Sequence, residues 1–263
     1  MHPAVKKIVR KKRKRKITAL TAYDFPFAKL VDEAGIDIVL VGDSLGMVCL
    51  GYETTLPVSM EDMIHHLKAV RRAVKRALVV VDMPYRSYRN PAVALRNAKR
   101  LKEVGAEAVK LEGGKKILAQ IKAILRAGIP VMGHLGMLPQ SVRELGGYKV
   151  QGKTKEEADR IFEEALLLEK AGAFSVVLEC VPNSLAKRIS KRLWIPTIGI
   201  GAGPDTDGQV LVLHDLLGFE SRLRPRFVRT YAHFSQDIRK AIGRYRGDVL
   251  KKRFPNLKES FKG

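Results

Sequence analysis

The sequence predicts an α/β fold, a (β/α)8 barrel. Three observations carry that prediction. Short apolar strands alternate with helical stretches along the chain, four of the helices close on a glycine directly before a strand, and five strands end on a residue that can carry charge or bind metal. In parallel α/β folds the C-terminal edge of the sheet is where side chains from several strands converge on a ligand. Glycine suits the position just past a helix end because the backbone there turns left-handed.

The elements follow in order. ITALTAY (17–23) is the first strand, and a helix over 25–34 closes on Ala34-Gly35 before IDIVLVG (36–42), which delivers Asp43 and Ser44. Ser59-Met-Glu-Asp62 resembles a capping box opening a helix over 59–76, and LVVVD (78–82) ends on Asp82. A helix over 91–104 closes on Val104-Gly105, and AEAVKLE (106–112) carries Lys110 and ends on Glu112. The next helix, 115–127, closes on Ala127-Gly128, and PVMGHL (130–135) carries His134. Thr154-Lys-Glu-Glu157 resembles a second capping box. Over 155–171, Ala158, Ile161, Phe162, Ala165 and Leu168 share one apolar helical face, which reads as core. Ala171-Gly172 closes that helix and FSVVLE (174–179) ends on Glu179; a helix over 183–193, PTIGIG (196–201) and QVLVL (209–213) complete the alternation. A basic amphipathic helix from Arg226 to about Arg246 is expected as the last helix of the barrel. Eight strands in alternation favour closure over an open sheet.

Two connections are long for simple turns, Gly42–Pro57 and residues 136–153. Loops of such length in a compact domain are usually lids or binding loops, and both follow strands that end on candidate site residues.

A chain of 263 residues that is 46% hydrophobic can bury one large core. No Gly/Ser/Pro-rich linker divides it, so one barrel domain is expected over 17–263, preceded by a basic arm over 1–16. No apolar run reaches the roughly 20 residues that span a bilayer, and no apolar segment follows the N-terminal charges as in a secretory signal. Cys49 and Cys180 are too few and too separated for a zinc-finger spacing or a disulfide framework. A soluble, cytoplasmic protein without a membrane partner is expected. The net charge is +22, and nine basic residues lie in KKIVRKKRKRK between Lys6 and Lys16. Such a run can neutralise phosphates, but no stacking aromatics accompany it, so a solvated arm is the preferred reading over nucleic-acid binding.

Each rim residue alone has a structural explanation. Asp43 and Ser44 suit helix caps, Asp82 a turn, Lys110 and Glu112 a surface pair, and His134 a satisfied semi-buried ring. Caps and turns need not recur at the ends of five strands, however, and together the residues match a hard divalent cation. Mg2+ takes one or two carboxylates and completes its shell with water and substrate oxygens. Asp43 and Asp82 are the expected ligands, with Glu112 beside them. A cation so held can chelate a 2-oxo acid and act as a Lewis acid on its keto group, stabilising an enolate. The base such a step needs is Glu179, whose apolar approach FSVVL is expected to raise its pKa from about 4.3 toward neutrality. Cys180 has no His/Asn partner pattern to make it a nucleophile. Gly199-Ile-Gly-Ala-Gly203 lacks a full dinucleotide fingerprint and falls late in the chain. A turn lining the site, one binding a phosphate and a purely structural turn stay open there.

LTAYDFPFA (20–28), VGDSLGMVCLGYETTLPVSMEDMIHHLKAVRR (41–72), KLEGG (110–114), GHLGMLPQSV (133–142), LGGYKVQGKT (145–154), ECVP (179–182), IPTIGIGAG (195–203) and DGQVLVLHDLLG (207–218) closely resemble the ketopantoate hydroxymethyltransferase family, in the family's order. The resemblance implies a barrel of the phosphoenolpyruvate/pyruvate type. It also implies Mg2+-dependent transfer of a one-carbon unit from 5,10-methylenetetrahydrofolate to 3-methyl-2-oxobutanoate, giving 2-dehydropantoate on the way to pantothenate and coenzyme A. It assigns metal binding to Asp43, Asp82 and Glu112, contact with the oxo acid to Asp43, Ser44, Asp82 and Lys110, proton acceptance to Glu179 and a positioning role to His134. A large homo-oligomer, a decamer, is implied as well. Met137-Leu138 and Asp205-Thr206 depart from the family's usual Thr-bearing turn and His-Cys pair, at positions expected near the pterin side of the mouth. The rivals are an isocitrate-lyase-like enzyme, which needs a reactive cysteine on a loop, and a Schiff-base aldolase using Lys110.

Overall fold

Eight strands close into a barrel in which each pairs in parallel with its successor and the last returns to the first. They are β1 (Ile17–Thr21), β2 (Ile38–Val41), β3 (Leu78–Asp82), β4 (Ala108–Glu112), β5 (Val131–Gly136), β6 (Ser175–Glu179), β7 (Thr197–Ile200) and β8 (Gly208–Leu211). The computed structural model describes residues 2–144, 146–219 and 225–261. Met1, Leu145, residues 220–224 and residues 262–263, parts of the expected arm, rim loop and barrel domain, lie outside the described residues. The chain divides into two compact units, Met1–Val212 and Leu213–Gly263, so the barrel unit takes in the first 16 residues and ends just after β8.

β2, β3 and β4 are buried along their whole length, as parallel strands covered on both faces must be. Around them run α2 (Phe25–Glu33), α3 (Leu45–Val48), α4 (Met60–Ala73), α5 (Pro91–Val104), α6 (Leu118–Arg126), α7 (Lys155–Ala171) and α8 (Asn183–Arg192). The capping box at α4 forms as expected: Ser59 Oγ accepts from Asp62 N at 3.1 Å and Asp62 Oδ2 accepts from Ser59 N at 2.9 Å. At α7 only half forms. Thr154 Oγ1 accepts from Glu157 N at 3.2 Å, but the Glu157 carboxylate accepts from Gly152 N and Lys153 N instead, tying the preceding loop to the helix. No helix stands between β7 and β8; residues 201–207 make that crossover alone.

The N-terminal segment is not a solvated arm. It forms α1 (Pro3–Val9), whose Val5 and Ile8 are buried in one cluster with inward residues of the barrel such as Ile17, Ile38, Leu78 and Ile198. The charges that follow are spent on the fold itself. Lys11 pairs with Asp37, and Lys12 Nζ lies 2.6 Å from Asp207 Oδ2 and 2.7 Å from the Ser190 carbonyl oxygen. Arg13 stacks over Trp194 at 4.8 Å and donates to the Lys191 carbonyl, while Lys16 donates to the Thr206 carbonyl. An aromatic partner for the run does exist, but it comes from the end of α8. The density of basic residues thus reflects several separate attachments at the N-terminal end of the barrel.

The second unit carries α9 (Leu213–Leu217) and α10 (Phe234–Leu250). The helix expected from Arg226 begins eight residues later, since the aromatic and β-branched stretch RFVRTY before it has low helix propensity. Among the described residues no helix is long and apolar enough to cross a membrane.

Candidate active site

Every residue singled out at a strand end lies at the C-terminal side of the barrel unit, and register brings them together. Asp82 stands beside Lys110 on neighbouring strands, and Glu112 beside His134. Lys110 Nζ donates to Asp82 Oδ1 at 2.6 Å, and the other Asp82 oxygen accepts from the Asp43 backbone N–H at 3.1 Å. Asp82 is therefore no mere turn residue. Ser44 makes no side-chain cap bond at α3; its Oγ lies 2.8 Å from the hydroxyl of buried Tyr23, whose carbonyl meets His66 Nδ1 at 2.6 Å. Gly42 permits this crowding, because a Cβ there would sit 2.9 Å from Ser44 Oγ and 3.5 Å from Asp82 Oδ2.

On the other side, His134 lies between two acids, Nδ1 at 3.5 Å from Glu112 Oε1 and Nε2 at 3.1 Å from Glu179 Oε2. Neither ring nitrogen has a well-aligned hydrogen bond, so these contacts are ionic in character. Burial and the Lys110 charge favour the neutral ring, but Glu112 and Glu179 outweigh them and hold the imidazole up to about 9. Glu179 is less buried than its apolar strand suggests; its side chain keeps 16% of its exposure because it is the last residue of β6. The chain then turns sharply. Cys180 has φ of +47°, and Gly136 lies so close that a Cβ there would be 2.2 Å from the Glu179 carbonyl oxygen. Only glycine fits, and Met137 N then donates to that same oxygen at 2.8 Å.

Two residues that the sequence reading left without a role complete the arrangement. Gln140 sits in the turn Pro139–Ser141 after β5. Its Nε2 donates to Asp43 Oδ2 at 2.7 Å and to the Met83 carbonyl at 3.0 Å, and its backbone N–H donates to Glu112 Oε2 at 3.0 Å. Tyr88 donates to Gln140 Oε1 at 2.5 Å. A polar residue within the long loop after the His134 strand was the available signal for Gln140; nothing in the sequence pattern marks Tyr88. The same loop reaches across the rim, with Gln151 N on the Cys180 carbonyl at 2.9 Å and Tyr148 Oη 3.8 Å from Met47 Sδ. Of the two departures, Met137 is buried at the rim. Asp205 and Thr206 instead lie on the β7–β8 crossover, Asp205 near Lys187 and Thr206 buried with its carbonyl on Lys16, away from the mouth.

The cluster is crowded with buried acids. Burial, and then the charges of Asp82 and Glu112, push the Asp43 carboxyl well above the usual carboxylate range, although Lys110 and Gln140 oppose them. Three carboxylates thus stand near one lysine, Lys110 bonding Asp82 and His134 lying beside Glu112. Among the described residues no three His, Cys, Asp or Glu side chains gather closely enough to enclose an ion. The carboxylate oxygens of Asp43, Asp82 and Glu112 are of the donor type that a hard cation takes. Lys110 itself is unsuited to Schiff-base chemistry: burial works against its charge, but Asp82, Glu112 and Asp43 overcome this and raise its pKa. Burial raises the Cys49 thiol to about 11 and, with Glu179 adding to it, the Cys180 thiol to about 12, which leaves neither as a thiolate near neutrality.

A family model described as ketopantoate hydroxymethyltransferase matches residues 3–257. The chain is 58% identical over 253 residues to the 3-methyl-2-oxobutanoate hydroxymethyltransferase of Thermoanaerobacter sp. (strain X514), covering 95% of this chain and 92% of the relative. It is 59% identical over 256 residues to the protein of that name from Acetivibrio thermocellus, covering 96% and 90%. Among solved structures, phosphoenolpyruvate phosphomutase from Streptomyces platensis subsp. rosaceus is similar with a TM-score of 0.66 at 14% identity, over 100% of this chain and 92% of that one. 2,3-Dimethylmalate lyase, a PEP mutase/isocitrate lyase superfamily member, gives 0.63 at 16% identity, over 100% and 93%. These two likenesses concern the fold alone, the closed (β/α)8 barrel.

Proposed function

Because the chain belongs to the ketopantoate hydroxymethyltransferase family, we propose that it moves the one-carbon unit of 5,10-methylenetetrahydrofolate onto C3 of 3-methyl-2-oxobutanoate. One water is consumed, tetrahydrofolate leaves, and 2-dehydropantoate is formed. The observation that carries this reading is the division of the site into two sides. An acid-rich side holds Asp43, Asp82 and Lys110, and an opposing carboxylate, Glu179, is fixed by His134.

Asp43 and Asp82 would hold Mg2+, with Glu112 beside them. When bound there, the cation supplies Lewis acidity to the keto oxygen of the 2-oxo acid and so favours the enolate. The protein's own groups do the rest. The Lys110 ammonium, kept charged by its carboxylate neighbours, is an electrostatic anchor for the substrate carboxylate. Ser44, held by Tyr23, offers a hydroxyl at the same rim. Glu179 takes the C3 proton, leaving the bonding pair on the C3–C2–O system. His134, with Nε2 3.1 Å from Oε2, keeps Glu179 oriented. Water adds to the methylene carbon of the donor as its two C–N bonds break, releasing tetrahydrofolate and leaving the one-carbon unit as formaldehyde. C3 then bonds to that carbon, and the resulting alkoxide takes up the proton held by Glu179.

The reading carries with it a cytoplasmic location and a homo-oligomeric assembly, as the family resemblance implies. The direct test is formation of 2-dehydropantoate from the oxo acid and 5,10-methylenetetrahydrofolate. Activity is expected with Mg2+, lost in EDTA and restored by added Mg2+. Turnover undiminished by EDTA would remove the metal from the account.

A further inference from the structure

Beside the acidic cluster, the loops after β2, β3 and β5 enclose a cleft of about 320 Å3. Gln140 belongs to both places: it lines the cleft while its Nε2 is bonded to Asp43. The other walls differ in chemistry from the cluster. Leu56 supplies apolar surface, Tyr85 an aromatic ring, and Arg86 and Arg143 two guanidinium groups, against one acid, Glu144. Both arginines are exposed and neither makes an ion pair among the described residues. Arg86 stands with Cζ 5.1 Å from the Tyr85 ring centroid, and its own φ is +64°, a left-handed conformation that a long side chain rarely adopts. Backbone held in that region is a recurrent feature of ligand-binding turns.

An aromatic and apolar wall next to two uncommitted guanidinium groups matches a ligand that is flat and ends in carboxylates. Arginine forks suit carboxylates because two parallel N–H groups can meet both oxygens. Resting on the proposed reaction, we propose that this cleft holds the p-aminobenzoylglutamate tail of the one-carbon donor, with Arg86 and Arg143 binding its carboxylates. The tail so placed leaves the methylene end directed to the neighbouring acid cluster, across the wall that Gln140 forms. The cleft is then a specificity element for the donor and takes no part in loss of the C3 proton.

The probe is p-aminobenzoyl-L-glutamate, with p-aminobenzamide as the form lacking carboxylates. On the wild-type enzyme the first is expected to inhibit competitively against 5,10-methylenetetrahydrofolate, and the second only weakly. The double variant Arg86→Asn, Arg143→Gln keeps a residue tolerant of the left-handed turn at position 86. It should raise the donor KM and the inhibition constant of the tail roughly tenfold or more, the scale of losing a charged hydrogen bond. The KM of the oxo acid should not move, and Arg86→Lys with Arg143→Lys should recover part of the loss. Unchanged inhibition in the double variant, or competition against the oxo acid in place of the donor, would overturn the assignment. Deuterium exchange at C3 without donor separates the two readings. If exchange occurs and the donor KM is unmoved by the double variant, the cleft assignment alone fails. If wild-type exchange is absent, the reaction fails, and calorimetric binding of p-aminobenzoylglutamate to wild-type and variant protein still decides the cleft.

Discussion

Gln140 and Asp43, 97 residues apart in the chain, are joined by a hydrogen bond of 2.7 Å from Nε2 to Oδ2. Through its backbone N–H the same glutamine holds Glu112 at 3.0 Å, so one neutral residue braces two acids of the cluster. Its amide oxygen is itself occupied by Tyr88.

Gln140→Ala should weaken Mg2+-dependent binding of 3-methyl-2-oxobutanoate roughly 10- to 100-fold, the usual cost of losing a group that orients a metal ligand. Gln140→Glu keeps the size but removes the donor and adds a negative charge, and it should be no better. Calorimetric titration of the oxo acid at fixed Mg2+ reads the effect. An Ala variant with wild-type affinity would show that Asp43 needs no brace.

Asp43→Ala and Asp82→Asn should each abolish the Mg2+-dependent part of oxo-acid binding, since too few anionic ligands remain. Asp82→Asn also replaces the charged partner of Lys110 by a neutral acceptor, so a loss of stability is expected there as well. Metal-dependent binding that survives in both variants would end the assignment of these aspartates as ligands.

Removing residues 1–16 should destabilise the barrel unit. Burying Val5 and Ile8 contributes about 1.5–3 kcal/mol each, and Asp207 would be left without the lysine 2.6 Å from it. Lys12→Ala alone should cost about 1–3 kcal/mol, because Asp207 would lose its lysine and keep only the bonds from Thr197 N–H and Oγ1. Denaturant unfolding of the purified variants measures both. A truncation with the wild-type midpoint and slope would restore the picture of a detached arm.

Asp32, on α2, accepts backbone N–H groups from Lys75, Arg76 and Ala77 at 3.0, 3.0 and 2.8 Å at the entrance to β3. Burial raises its pKa, but the three amides and Arg76 more than compensate, and the carboxyl is held below its ordinary value. A group depressed in the folded state contributes stability that is full above its unfolded pKa of about 3.9 and lost as pH falls through the folded value. Asp32→Ala should therefore cost about 1–3 kcal/mol or more at neutral pH for the buried donors it strands, and the gap to wild type should narrow below pH 4. A gap independent of pH would remove the charge from this explanation.

The barrel and its rim were readable because parallel strands impose a repeating pattern. Apolar runs mark every strand, a glycine closes four of the preceding helices, and five strands end on a residue able to carry charge, which is how Asp43, Asp82, Glu112, His134 and Glu179 were found. The first 16 residues were misread because composition sees charge and not its partners. Lys12 reaches an aspartate 195 positions away and Arg13 stacks on a tryptophan outside its run. Gln140 and Tyr88 escaped for a related reason. Their importance lies in contacts across the barrel mouth, which no local periodicity records. The burial expected of Glu179 was overstated, since its apolar strand ends before the side chain is covered.

The central claim is that Glu179, held by His134 across from the aspartate side, removes the C3 proton of the oxo acid. Enolisation should then be separable from one-carbon transfer. In D2O with Mg2+ and no folate, the wild-type enzyme should exchange the C3 hydrogen of 3-methyl-2-oxobutanoate. Glu179→Gln, nearly isosteric but unable to accept a proton, should bind the oxo acid and lose both exchange and turnover. The measurement is deuterium incorporation at C3 by proton NMR, on wild type and variant under saturating substrate. Exchange reduced to the background rate in the Gln variant is the result the account predicts, and exchange at the wild-type rate would contradict it.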